Sequence, residues 1–192
     1  VLNNAGVYGP KGPIEANDLA AWQQAMTINI LGTLIPMRLA ATQFKAQKSG
    51  KIINMSGGGA TKGMPMFSAY AASKAAVVRL TETVALELAE FGVDVNAVAP
   101  GALNTRLLDE VLAAGPEVVG KSFYDASVKQ RDSGGNSMDM AAKLCVYLAS
   151  TQSNGVTGRL ISAVWDNWHT LYERRSQLAK SDVYMLRRIT DR

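Results

Sequence analysis

Segments with the 3.6-residue period of a helix alternate in this chain with short runs of β-branched and aliphatic residues, and no other feature narrows the possible folds as far. Asn17 or Asp18 is placed to cap a helix running to about Lys48, with a kink expected at Pro36 and Gly50 ending the segment. Lys51-Ile52-Ile53-Asn54-Met55 reads as a strand and Ser56-Gly57-Gly58-Gly59 as a flexible turn. A second helix is predicted over 69–90, with Ser68 a candidate cap and Gly92 at its close. In it Val77, Leu80, Val84 and Leu88 recur at three- and four-residue intervals, leaving Arg79, Glu82, Glu87 and Glu90 for solvent. A strand over 93–98 ends at Pro100-Gly101, and the weakly patterned stretch 105–138 is expected to be mobile, with short helices. Ser137 or Asp139 starts a helix to Ser150, and Gly158-Arg159-Leu160-Ile161-Ser162-Ala163 reads as the final strand. Strands separated by helices predict an α/β fold, a mostly parallel sheet covered by helices.

Composition supports one substantial core, in one domain or a large part of one: of 192 residues 47% are hydrophobic, and the mean hydropathy is +0.01. The charged share of 19% and the 17 glycines point to elements buried on more than one face. The single cysteine, Cys145, excludes an internal disulfide and suits a reducing cytosol. With only one histidine, His169, no two-histidine metal motif exists, so no metal is expected and His169 reads as a surface or packing residue. The net charge of +4 is spread along the chain. Even the tail, 165–192, sets Arg174, Arg175, Lys180, Arg187, Arg188 and Arg192 against Asp166, Glu173, Asp182 and Asp191, and no nucleic-acid partner is expected. The stretch 19–37 has no charge, but Gln23, Gln24, Thr27, Asn29, Gly32, Thr33 and Pro36 interrupt it, so a buried helix is expected rather than a membrane span. The N-terminus carries no secretion signal, and Val1-Leu2 enters Asn3-Asn4-Ala5-Gly6 like the last residues of a strand. The chain is therefore expected to be a fragment with an unpaired strand edge.

Ser56, Tyr70 and Lys74 form the most informative constellation. Tyr70 and Lys74 are four residues apart on one helical face, so their heads can meet. A phenol with an ordinary pKa of about 10 exchanges protons poorly at neutral pH, and a neighbouring ammonium favours the phenolate. A general acid or base so tuned contributes typically about 10²- to 10⁴-fold in rate. The Tyr-x-x-x-Lys spacing is common by chance, so its meaning depends on its surroundings.

Those surroundings resemble the short-chain dehydrogenase/reductase family in four blocks taken in order. These are Asn3-Asn4-Ala5-Gly6, then Asn29 within Ile28-Asn29-Ile30-Leu31-Gly32, then Tyr70-Ala71-Ala72-Ser73-Lys74, and Pro100-Gly101 followed by Thr105. The resemblance implies the second half of a doubly wound, Rossmann-like fold, truncated before its glycine-rich phosphate turn, with 165–192 as a C-terminal extension. It implies an oxidoreductase passing hydride between NAD or NADP and a carbonyl or secondary alcohol. In the carried-over roles, Tyr70 exchanges a proton with the substrate oxygen, and Lys74 lowers the tyrosine pKa and holds ribose hydroxyls. Asn29 holds a water linking Lys74 to solvent, and Ser56 hydrogen-bonds the substrate oxygen. Asn4, Ala5 and Gly6 line the adenosine side; Pro100, Gly101, Leu103 and Thr105 surround the nicotinamide and pyrophosphate.

Two departures stand out. The family's serine commonly lies thirteen residues before the tyrosine, where this chain has Gly57; Ser56 is taken as the serine on the expectation that the glycine turn absorbs one residue, with Ser68 an alternative hydroxyl. Val164-Trp165-Asp166 replaces a glycine-rich ending, so the tail covers the pocket, meets a partner or packs on the surface. Alanines 69, 71, 72, 75 and 76 would allow close approach of another helix, and the resemblance implies a cytoplasmic homo-oligomer, dimer or tetramer, acting on a small molecule away from membranes. The competing expectation is a non-catalytic relative that keeps the fold as a binding or interaction module.

Overall fold

The computed structural model describes residues 1–191, so Arg192, counted above among the basic residues of the tail, lies outside the described residues. Four strands form one sheet in the order β1 (Leu2–Asn3), β2 (Gly50–Met55), β3 (Val93–Ala99) and β4 (Leu160–Ser162), each neighbouring pair parallel. Leu2 lies opposite Ile53, Met55 opposite Val98, and Val98 opposite Ile161. Helices provide the crossovers that parallel strands require. α1 (Leu19–Met26) and α2 (Gly32–Gln47) join β1 to β2, and α3 (Ser68–Leu88) joins β2 to β3. Between β3 and β4 lie α4 (Arg106–Ala114), α5 (Pro116–Val119), α6 (Lys121–Asp132) and α7 (Met138–Ala149).

Successive strand residues point to opposite faces, and both faces are covered. Ile52, Val93 and Val95 pack with Met37, Ala85 and Leu88. Ile53, Val98 and Ile161 pack with Leu144, Leu148 and Trp168. Polar residues that enter the sheet are paired: Asn3 Nδ2 donates to Asn54 Oδ1 at 2.8 Å, and Asn54 Nδ2 donates to Thr81 Oγ1 of α3 at 2.9 Å.

The structure revises several local expectations. Asp18 does cap α1, accepting from the Ala21 N–H at 2.7 Å, but a π-helical turn over Thr27–Leu31, upstream of Pro36, divides the expected long helix. That wider turn carries Asn29, whose side chain is drawn off the helix to bond elsewhere. Lys48 takes the left-handed conformation that ends α2 (φ 53°), while Gly50 opens β2, where the Phe44 ring leaves no space for a Cβ. Ser68 does not cap α3; Phe67 holds that position, and Ser68 Oγ accepts from Trp22 Nε1 at 3.1 Å, tying α1 to α3. The stretch expected to be loosely patterned contains three helices, and Val111 and Val119 bury themselves against Phe67 and Tyr70.

Leu19–Gln47 spans 29 residues and is apolar enough, by length and composition, to cross a membrane. It is less buried than its sequence predicts. Ala25, Asn29, Thr33, Met37 and Ala40 form the inward stripe, at three- and four-residue intervals, while Leu31, Ile35 and Leu39 are exposed. An apolar residue every four positions presents a continuous outward ridge.

The tail packs intimately on the body. Trp168, Leu171 and Leu178 join the cluster around Ile161, and Leu160 N–H donates to Tyr184 O at 2.8 Å, laying tail backbone along β4. Buried Arg159 gives its guanidinium to the carbonyls of Ser181 at 2.9 Å, Val183 at 2.8 Å and Leu178. Glu82 is buried at 3% exposure, against the solvent position its helical phase predicts, because the tail covers it. It accepts from Leu186 N–H at 2.7 Å, Arg187 at 3.0 Å and Arg79. Breaking a buried ion pair costs about 3–5 kcal/mol, and the arginine partners here reach solvent, so Glu82→Ala should cost about 3 kcal/mol. Urea unfolding measures that loss, and limited proteolysis should show new cleavage within 179–191; an unchanged midpoint and digest would refute the clamp.

Candidate active site

The carboxyl ends of β1, β2 and β3 lie on one edge of the sheet because the strands are parallel, and ligands of open α/β sheets bind at such an edge. The segments leaving that edge are Asn4-Ala5-Gly6, Ser56-Gly57-Gly58-Gly59 and Pro100-Gly101, which brings together three of the segments singled out in the sequence. The first turns of α3 supply the fourth. Tyr70, Ser73 and Lys74 are all buried there, one helical turn apart.

Lys74 Nζ lies 5.6 Å from the Tyr70 ring centroid and donates to the Met55 carbonyl at 2.9 Å. An ammonium has three donors, so two more can meet acceptors approaching from the strand edge. Desolvation dominates the electrostatics. Burial lowers Lys74 to about 8, since it penalises the charged ammonium. Burial, with a smaller contribution from Tyr8, raises Tyr70 above the usual phenol range. The expected lowering of the phenol by Lys74 is therefore not what this geometry produces: the ammonium is turned onto a main-chain carbonyl.

Asn29 also differs from expectation. Its Oδ1 accepts from Val7 N–H at 2.9 Å, and its Nδ2 donates to Val7 O at 2.9 Å and Ser73 Oγ at 2.8 Å. Both amide donors are used, so the side chain grips the chain just after Gly6, and only the second lone pair of Oδ1 is left to meet a water. Gly6 permits the crossing, since a Cβ there would stand 3.3 Å from Lys74 Nζ and 3.4 Å from Asn29 Oδ1.

Ser56 is buried, its N–H bound to Val98 O at 2.8 Å and its hydroxyl without a hydrogen-bond partner. The glycine turn does not absorb a residue. Gly57 lies against the Tyr70 hydroxyl, and no hydrogen bond joins Ser56 to Tyr70 among the described residues. Ser68 is occupied by Trp22, as above. Asn4 and Ala5 are exposed, Pro100, Leu103 and Thr105 half-buried, and Gly101, at φ +91°, lies under Val164 Cγ2, which would be 2.6 Å from a Cβ. Thr105 begins α4 without using its hydroxyl as a cap. Tyr8 escaped the sequence reading. Its ring meets Tyr70 edge-on at 4.6 Å between centroids, and its only signal was an aromatic residue two positions after Gly6.

A parallel sheet with helices on both faces and this edge defines an α/β protein of the Rossmann dinucleotide-binding type. A family model described as short chain dehydrogenase matches residues 1–114, and the chain belongs to that family. Dehydrogenase/reductase SDR family member 6 of Danio rerio is 34% identical over 159 residues, 82% of this chain and 64% of that protein. 3beta-hydroxysteroid dehydrogenase 1 of Eggerthella lenta is 37% identical over 172 residues, 89% of this chain and 63% of that protein. The crystal structure of a gluconate 5-dehydrogenase from Burkholderia cenocepacia J2315 with NADP and tartrate matches at TM-score 0.72 and 28% identity, over 84% of this chain and 61% of the other. The chain thus spans a little under two thirds of the length of each of these relatives.

The lowered pKa of Lys74 fixes a sign. Between about 8 and the ordinary 10.5, the unfolded chain binds a proton that the folded chain has released, so folding stability rises with pH across that window. The parent should gain stability relative to Lys74→Met as pH is raised from about 8 to 10.5. Paired denaturation curves at pH 7.5, 9 and 10 measure the gap, and a constant gap would contradict the buried ammonium.

Proposed function

We propose that this chain is the catalytic portion of an NAD- or NADP-dependent oxidoreductase acting on a carbonyl or secondary alcohol, with Tyr70 as the acid and base at the substrate oxygen. The observation that carries it is the buried Tyr70–Lys74 pair on one helical turn, facing the carboxyl edge of a parallel sheet in a short chain dehydrogenase. The residues present suit the nicotinamide-ribose end of a dinucleotide: Gly6 clears the approach to Lys74, whose remaining donors suit ribose hydroxyls, and Thr105 does not spend its hydroxyl as a helix cap. Asn4, Ala5 and Gly6 would line the adenosine side. When bound, the nicotinamide supplies or accepts the hydride at the substrate carbon.

The chain's own residues handle the proton. Burial holds Tyr70 protonated, the form that donates to a carbonyl oxygen as it becomes an alcohol; in the reverse direction the phenol oxygen takes that proton back. Lys74, lowered to about 8, can release or bind a proton close to neutral pH and so pass it onward. Asn29 keeps the Val7 segment in register with α3. The apolar surround of Tyr70, with Phe67, Phe123, Met64 and Val111, supports a substrate whose carbonyl sits on an apolar frame.

The exposed ridge of Leu31, Ile35 and Leu39, together with exposed Leu86 of α3, supports a homo-oligomer formed through α2 and α3. A single free cysteine, Cys145, is compatible with work in a reducing cytosol. Leu39→Glu combined with Leu86→Glu should convert an oligomer to monomer in sedimentation; an unchanged mass would exclude this face.

Nicotinamide fluorescence on titrating NADH and NADPH, followed by ketone-dependent oxidation, tests the main reading. Tyr70→Phe should lose about 10²- to 10⁴-fold in turnover, with dinucleotide affinity within about threefold of the parent. Unchanged turnover in Tyr70→Phe, or dinucleotide binding with no carbonyl-dependent oxidation in the parent, would favour a binding module instead.

A further inference from the structure

Among the described residues no hydroxyl or ammonium holds the head of the phenol on which the proposed reaction depends. Lys74 Nζ is engaged by Met55 O, and the Ser56 hydroxyl is buried without a partner. Where the family pattern expects a serine, thirteen residues before Tyr70, this chain has Gly57. A Cβ on Gly57 would collide with Tyr70 Oη and stand 3.3 Å from Tyr70 Cζ, so the phenol head rests in the space that any side chain at position 57 would fill.

A second contact fixes the ring itself. Tyr8 meets it at 4.6 Å between centroids and 65° between planes, an edge-on arrangement favoured by the opposite charge of ring edge and ring face. Tyr8 is itself immobilised: it contacts Phe67 at 5.0 Å, Lys11 Nζ lies 5.7 Å from its ring centroid, and the residue before it, Val7, is held by Asn29 at both N–H and C=O. Lys11 in turn pairs with Glu110 of α4 at 3.4 Å, so α4 and the segment after β1 are joined beside the phenol.

We propose that Gly57 and Tyr8 are the positioning residues for Tyr70, a seat beneath its hydroxyl and a brace against its ring, so that shape, and no hydroxyl at position 57, sets where the phenol head stands. The inference rests on Tyr70 being the proton-transfer residue. Its distinctive consequence is that restoring the family's serine harms the site, because the Oγ and Cβ of a serine at position 57 occupy the phenol's space.

Four variants test it, each read by kcat, KM and the ring resonances of ¹³C-tyrosine-labelled protein, with Tyr70 assigned from the signal missing in Tyr70→Phe. Gly57→Ser should lower kcat at least tenfold, change KM less than threefold and displace the Tyr70 resonance. Tyr8→Leu should lower kcat by a similar factor and displace the same resonance, and Tyr8→Phe, which keeps the ring, should recover most of the loss. Parental or higher kcat in Gly57→Ser overturns the seat, and parental kcat in Tyr8→Leu overturns the brace. If Tyr70→Phe keeps full turnover, the catalytic reading fails; the Tyr70 resonance then still decides the positioning, which is refuted if neither Gly57→Ser nor Tyr8→Leu moves it. Should Gly57→Ser not fold, the Tyr8 pair decides in the same way.

Discussion

Desolvation of the first turns of α3 governs what this molecule can do. The helix is pressed onto the strand edge closely enough that Lys74 reaches a main-chain carbonyl of β2 and Tyr70 loses nearly all contact with water. Both groups then shift away from their charged forms, the lysine down and the phenol up. An exposed Tyr-Lys pair at the same spacing would titrate near ordinary values and have no special reactivity. The pairing therefore matters through the depth at which the sheet and α4–α6 bury it, and less through direct attraction between the two heads.

That burial is tolerable because the polar groups carried inside are mostly satisfied. Asn29 uses both of its amide donors and its acceptor, and it sits on a π-helical turn whose extra width frees the side chain to leave the helix. Asn3, Asn54 and Thr81 form a chain across two strands and a helix. Glu82 and Arg159 fasten the tail through charge-assisted bonds to its main chain and to Arg187. These contacts join distant segments: Glu82 and Leu186 are more than a hundred residues apart in sequence, yet they meet at 2.7 Å.

Much of the architecture was legible in advance, since strands and helices announce themselves through local periodicity. β2, β3, α3 and α7 begin and end within a few residues of the expected positions, and Asp18, Ser137 and Gly92 terminate helices as their chemistry predicts. Several of the departures share one cause, which is contact with residues remote in sequence. Glu82 reads as solvent-facing until the tail covers it. Ser68 reads as a cap until Trp22 claims its hydroxyl. The 105–132 segment lacks a clear pattern because its helices are short and bury only a few residues each, against Phe67 and Tyr70.

The sequence by itself determined the α/β class, the order of the elements, and the four motif blocks that mark a short chain dehydrogenase, because each depends on residues near one another in the chain. Only the tertiary structure decided that Gly57 rather than Ser56 meets the phenol, that Asn29 grips Val7, that Tyr8 braces the site, and that burial sets the direction in which Tyr70 shifts. Those outcomes turn on distances between segments that folding brings together, and desolvation in particular has no value until the surrounding atoms have excluded water.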